Sequence, residues 1–235
     1  MKLAVCAVFS LMLVAGPAVA SDPVTELKTE KQKISYALGL DLGSYFKSLE
    51  TDFDLDAVYQ GISASYTGGK ALLTPDEAAE IQKQFAIDQQ KKKMEKTKAL
   101  LETNKDVAAE FLKKNKTEKG VKVTDSGLQY KVVKEGKGEK PTATDTVKVH
   151  YKGTLIDGTE FDSSYKRNEP VTFKANKVIP GWTEALQLMT PGSKYTLYLP
   201  PELAYGDRGA PPAIEPGALL IFDVELVEIV KGGDK

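Results

Sequence analysis

Sulfur and imidazole chemistry are nearly absent from this chain of 235 residues, which has one cysteine, Cys6, and one histidine, His150. Cys6 lies in the first twenty residues, so a chain that has shed that leader has no thiol. Disulfides, thiol catalysis and cysteine-based metal sites are thereby excluded. A single histidine leaves no His-based triad and no His/Cys zinc cluster. It sits on the polar side of an alternating run and is expected to face solvent. The Gly-rich stretch Glu135-Gly136-Lys137-Gly138 lacks the spacing of either phosphate-binding loop, so nucleotide chemistry has no support. With a formal net charge of −1 there is no global basic field for nucleic acid. No metal and no cofactor are expected. After residue 20 no apolar run reaches spanning length, so no integral membrane segment is expected in the mature chain.

The leader itself is legible. Lys2 precedes an apolar run from Leu3 to Val14, then Gly16-Pro17, then Ala18-Val19-Ala20, the pattern of a secretory signal peptide over 1–20. A periplasmic location is expected, with outer-membrane or surface association open.

From about Thr29 to Asn115 the pattern is helical. Ile34, Leu38, Leu42, Tyr45 and Leu49 mark one amphipathic helix; Leu55, Val58, Tyr59, Ile62 and Tyr66 mark a second, ended by Gly68-Gly69. Thr74-Pro75-Asp76-Glu77 is a capping-box start with proline at the first helical position. No Gly or Pro follows until Gly120, so a third helix of about 40 residues and roughly 60 Å is expected. Its centre, Asp88 to Lys98, carries only Met94 as a large apolar side chain, as in a helix that bridges two bodies through solvent. The two shorter helices make a poor core alone and are expected to pair with a second copy over 30–69. The domains read as 21–73, a helical dimerisation region; 74–119, a long connecting helix; and 120–235.

From Val123 the period becomes two, with Val147, Val149 and Tyr151, then Tyr195, Leu197 and Leu199, then Leu220, Phe222, Val224 and Leu226 on one side. Asp157-Gly158 is a hairpin turn signal. One short helix is expected over 180–189, opened by Pro180 and burying Trp182, Ala185, Leu186 and Met189. The fold class is α+β: an antiparallel sheet wrapped on one short helix. Trp182 is the sole tryptophan, and Tyr151, Phe161, Phe173, Tyr205 and Phe222 recur in strand-like segments around it. If they converge on it, the domain holds an aromatic-walled cavity.

Tyr151-Lys152-Gly153, Phe161-Asp162-Ser163-Ser164, Val178-Ile179-Pro180-Gly181-Trp182, Leu203-Ala204-Tyr205-Gly206 and Ile221-Phe222-Asp223-Val224-Glu225-Leu226 resemble, in order and spacing, the FKBP-type peptidyl-prolyl cis–trans isomerases. Leu42-Gly43-Ser44-Tyr45-Phe46 and Ser126-Gly127-Leu128-Gln129-Tyr130 are similar to the Mip (macrophage infectivity potentiator) branch, exported bacterial homodimers with a long connecting helix. The resemblance implies that Trp182 floors the pocket and that Tyr151, Phe161, Val178, Ile179 and Phe222 wall it. It implies that Tyr205 O–H and the Ile179 N–H donate to substrate carbonyls, and that Asp162 sits at the rim, held by Tyr151 and Arg167. Arg167, Val178, Ala210 and Ile214 are the implied substrate-binding residues. Inhibition by macrolides of the rapamycin class is implied as well. Ala210 and Ala213 stand where many single-domain members have histidine and isoleucine, which reduces the pocket's wall.

The residues left by elimination suit such an activity. Rotation of an X–Pro bond needs no bond cleavage and no proton donor of matched pKa. It needs relief of the partial double-bond character behind a barrier of about 18–20 kcal/mol. The expected function is peptidyl-prolyl isomerisation in proline-containing unfolded or exported proteins. A holdase that only captures proline segments, or a surface interaction protein, is the alternative.

Overall fold

The computed structural model describes residues 25–230; the leader and Cys6 lie outside them. The chain divides into two compact units at residues 77/78.

In the first unit, α1 (Glu30–Ser48) opens with Thr29 and Gln32 in a reciprocal capping box. Leu49, the last residue of its apolar stripe, falls at the C-cap. Helix α2 (Leu55–Thr67) is capped by Asp54 and ends where Gly68 takes φ +68°, a left-handed conformation glycine adopts without steric cost. Neither helix buries a single residue. Leu38, Tyr59 and Tyr66 are 60%, 69% and 89% exposed.

Helix α3 (Pro75–Asn115) starts at the expected cap: Thr74 N–H donates to Glu77 Oε2 at 2.8 Å, and Glu77 N–H donates to Thr74 Oγ1 at 3.3 Å. Its solvated centre gives way to a last stretch that packs on the sheet. Ala108 and Asn115 are buried, and the Phe111 ring lies 5.9 Å from that of Tyr198. Asn115 Nδ2 donates to Gln129 Oε1, and Gln129 Nε2 donates to the Leu112 carbonyl, both at 2.9 Å. The sequence expectation of a bridging helix says nothing of this docking, because Phe111, Leu112 and Asn115 form no long apolar stripe.

The sheet is antiparallel, with strands β1 (Val121–Val123), β2 (Gln129–Lys134), β3 (Thr146–Thr154), β4 (Glu160–Ser163), β5 (Val171–Lys174), β6 (Lys194–Leu199) and β7 (Leu220–Val230). The order is β1-β2-β6-β7-β3-β4, with β5 also pairing β3. Strand β3 runs along β7 on one side and shares its other side between β5, from Thr146 to Val149, and β4, from Lys152 to Thr154. The alternation read from sequence is the burial pattern observed: Val147, Val149, Tyr151, Tyr195, Leu197, Leu199, Leu220, Phe222, Val224 and Leu226 all point into one core. The Asp157-Gly158 turn joins β3 to β4, with Thr159 N–H on Asp157 Oδ1 at 2.9 Å.

The short helix α4 (Pro180–Leu186) lies against that core, burying Trp182, Ala185 and Leu186. It ends three residues before the expected boundary. Leu188 and Met189 continue it through tighter bonds to the Ala185 and Leu186 carbonyls, and Met189 is still fully buried.

His150 corrects the sequence reading. It lies on the sheet's outer face but is only half exposed, stacked on Tyr165 at 4.8 Å with Nδ1 3.1 Å from Ser164 Oγ. The short turn Tyr165–Arg167 after β4 covers that face locally, a tertiary contact invisible to strand periodicity.

Candidate active site

The aromatic residues do converge. Trp182 stands on α4 because Pro180 opens the helix two residues earlier and turns this face to the sheet. Around it the rings of Tyr151 from β3, Phe173 from β5 and Phe222 from β7 meet the indole edge-to-face, at 5.2, 6.0 and 5.3 Å. Phe161 from β4 packs edge-to-face on Phe222 at 5.5 Å. Edge-to-face pairs match a ring's positive rim to its neighbour's negative face, so each holds the next in orientation. Gly153 makes room for this: a Cβ there would come 2.6 Å from Phe161 Cζ and 2.8 Å from Phe222 Cε1.

The result is a cavity of about 430 Å³ lined by Tyr151, Phe161, Asp162, Phe173, Lys177, Val178, Ile179, Trp182, Tyr205 and Phe222. That volume suits a small apolar ring with its flanking peptide. Phe161 and Asp162 are consecutive yet both line it, beside a register shift at Gly153/Thr154 that breaks strict alternation. A larger groove along α1, lined by Leu27, Lys31, Gln32, Ser35, Tyr36, Gly39 and Leu40, lies on the exposed surface of that helix and the residues just before it.

The polar groups divide into two sets. Asp162 is saturated: Oδ2 accepts from Tyr151 O–H at 2.5 Å, and Oδ1 accepts from Arg167 Nη1 at 2.7 Å and from the Ser163 N–H at 2.8 Å. Arg167 Nη2 also donates to the Tyr151 hydroxyl oxygen at 2.9 Å. Burial alone raises the Asp162 carboxyl, but the hydrogen bonds from Arg167 and Tyr151 outweigh it and hold the pKa below the ordinary carboxylate value. Burial, then the bond to Asp162, push the Tyr151 phenol up. Both groups keep their usual neutral-pH forms, so neither exchanges protons near pH 7.

The second set is available to a ligand. Tyr205 is 43% exposed at the cavity mouth. Ile179 caps α4, and its carbonyl accepts from Trp182 and Thr183 while its own N–H has no acceptor among the described residues. The Trp182 Nε1–H is a buried donor without a partner among the described residues.

Seven of the sequence-named residues thus line one cavity together with Val178. Arg167 reaches it only through Asp162 and Tyr151. Ala210 and Ile214 pair with each other in the loop after Tyr205, and Ile214 is buried in the core; neither lines the cavity. Phe173, visible in sequence only as one of the recurring aromatics, is a lining residue. Lys177 carried no signal, being one of many lysines.

An antiparallel sheet closed on one short helix, with an aromatic cavity where that helix begins, defines an FKBP-type domain. The crystal structure of FkpA from Escherichia coli matches it with a TM-score of 0.71 and 40% identity, over 87% of this chain and 98% of that one. Residues 137–227 match the model of the FKBP-type peptidyl-prolyl cis–trans isomerases, and residues 31–132 match the domain amino-terminal to them. The outer membrane protein MIP of Legionella longbeachae is 41% identical over 98% of both chains. Escherichia coli K12 FkpA, a peptidyl-prolyl cis–trans isomerase of the FKBP type, is 42% identical over 92% of this chain and 82% of its own. The chain belongs to the FKBP-type peptidyl-prolyl cis–trans isomerase family, and it is an enzyme of that kind.

Proposed function

We propose that this protein acts in the periplasm as a homodimer that speeds X–Pro isomerisation in exported proteins, where that step limits folding. The observation that carries the reading of the site is the cage of rings around Trp182. A proline ring seated on the indole draws its amide into an apolar wall. There the carbonyl loses the water hydrogen bonds that stabilise its charge-separated resonance form, and twisting the C–N bond becomes easier. A millionfold acceleration needs about 8 kcal/mol of preferential stabilisation of the twisted state. Desolvation, shape and the Tyr205 O–H and Ile179 N–H donors together supply energy of that order. The Arg167–Asp162–Tyr151 set fixes the Tyr151 ring and places a carboxylate at the rim.

The location rests on the leader pattern and on the similarity to the Legionella outer membrane protein MIP. Among the described residues no helix is long and apolar enough to cross a membrane. The homodimer rests on the bare apolar faces of α1 and α2. Macrolides of the rapamycin class are candidate ligands of the same cavity.

Phe161→Ala and Tyr205→Ala test the site. Each is expected to lower kcat/KM on a proline peptide at least tenfold, about 1.4 kcal/mol. Folded variants with the full rate would sink the assignment. In a holdase that only captures proline segments, by contrast, isomerisation would be negligible in the parent protein and both substitutions would weaken suppression of client aggregation.

A further inference from the structure

The loop after Tyr205 is held up from outside itself. From Gly206 to Gly217 it is closed at its base by the Gly217 N–H on the Gly206 carbonyl at 3.0 Å. Across its middle, Ala210 and Ile214 exchange bonds of 2.8 and 3.1 Å. Ile214 anchors the loop's middle in the core, while Asp207, Arg208, Pro211, Pro212, Ala213 and Glu215 are exposed, so its own burial rests mainly on that one side chain. Helix α3 grips both stems. Lys105 Nζ lies 2.7 Å from Asp207 Oδ1 on the outgoing stem, two residues beyond Tyr205. On the returning stem Asn104 Nδ2 donates to the Pro216 carbonyl at 2.9 Å and to Glu215 Oε2 at 3.3 Å. One turn earlier, Leu101 touches the Gly217 backbone so closely that a Cβ there would come 2.9 Å from both Leu101 Cδ1 and its carbonyl oxygen. Positions 101, 104 and 105 share one helix face.

We propose that α3 belongs to the isomerase site: Leu101, Asn104 and Lys105 are positioning residues that hold the 206–217 loop, and with it Tyr205, in the substrate-ready arrangement. This rests on the reading of the cavity given above. The stems on either side of the Ile214 anchor are exposed and have few bonds of their own, and such segments open locally more readily than the sheet. Only the closed form presents the Tyr205 hydroxyl at the cavity mouth, and apparent affinity falls with the fraction of chains in that form. Release of the grip therefore acts on KM and leaves kcat of the bound complex nearly unchanged. A helix that merely supported the fold would change thermal stability and leave KM alone.

The test uses the mature chain and a proline tetrapeptide. Asn104→Ala with Lys105→Ala keeps good helix formers on α3 and removes both polar grips. It is expected to raise KM about three- to tenfold, the effect of losing hydrogen bonds of ordinary strength, with kcat within twofold. Amide exchange should quicken at Ala210, Ile214 and Gly217 but not in β3 or β7. Lys105→Asp alone should raise KM, and adding Asp207→Lys should bring it back to within twofold of the parent. Unchanged KM with unchanged loop exchange overturns the proposal, as does a swap that fails to restore KM. Faster exchange spread through the sheet also overturns it, since the helix would then support the whole fold. Phe161→Ala run in parallel separates the two readings. Full activity there removes the cavity assignment, whereas a tenfold loss there beside an unmoved Asn104/Lys105 variant removes the grip alone.

Discussion

At the scale of single residues, Asp162 lines the cavity with its carboxylate held ionised by its partners rather than poised for proton transfer. Three donors saturate its carboxylate, and its pKa is held down in the folded protein. A depressed folded value means that the stabilisation is complete above the unfolded carboxyl value of about 4 and is lost as pH falls through the lower folded value. Asp162→Asn is therefore expected to lower the melting temperature at pH 7 and to converge with the parent as pH falls through the depressed folded value. The side chain is 42% exposed, so the difference should stay below about 1 kcal/mol. Melting curves from pH 7 to 2 that run parallel throughout would refute this account of the carboxylate. Trp182, Tyr151, Phe161 and Phe222 were legible as site residues from their motifs. Phe173 was legible only as an aromatic, and Lys177 not at all, since a lone lysine has no pattern to betray which wall it joins.

At the scale of elements, local chemistry reads well and docking reads badly. Caps, breakers and period placed α2 and α3, strands β3, β6 and β7, and the start of α4, because those signals act between residues two to four apart. That the end of α3 lies on the sheet depends on partners far along the chain: Gln129, Tyr198 and the Pro216 carbonyl. The consequence is measurable. A fragment of residues 97–235 keeps these contacts, whereas 120–235 loses the burial of Ala108 and Phe111 and both bonds of the Gln129 side chain. Loss of a hydrogen-bonded pair and two packed side chains is worth about 2 kcal/mol or more. The shorter fragment is expected to melt at least about 5 °C lower. Calorimetry giving equal midpoints would mean the helix end contributes nothing. The shorter fragment also lacks Leu101, Asn104 and Lys105, so its KM on a tetrapeptide should rise.

At the scale of the whole molecule, the helical unit makes sense only in company. Ile34, Leu38, Leu42 and Tyr45 on α1 and Leu55, Tyr59 and Ile62 on α2 are all between 44% and 69% exposed. Apolar surface left in water costs about 25 cal/mol per Å², and a stable pairing needs on the order of 1,000 Å² buried in total. Light scattering at micromolar concentration is expected to give twice the chain mass for the mature protein, and Leu38→Glu with Ile62→Glu to give the monomer. A monomeric parent protein would remove the dimerisation role from these helices. The sequence alone determined what near neighbours decide: the helix caps, the alternation of the strands, and the motifs that mark an FKBP-type isomerase. Tertiary structure alone decided that the rings meet edge-to-face around one indole, that Ile214 is buried away from the cavity, that His150 is covered, and that α3 grips the loop beside Tyr205. Those contacts join residues as much as 112 positions apart, as Asn104 does with Pro216. Chain folding brings such groups together, and neither period nor spacing in the sequence records the meeting.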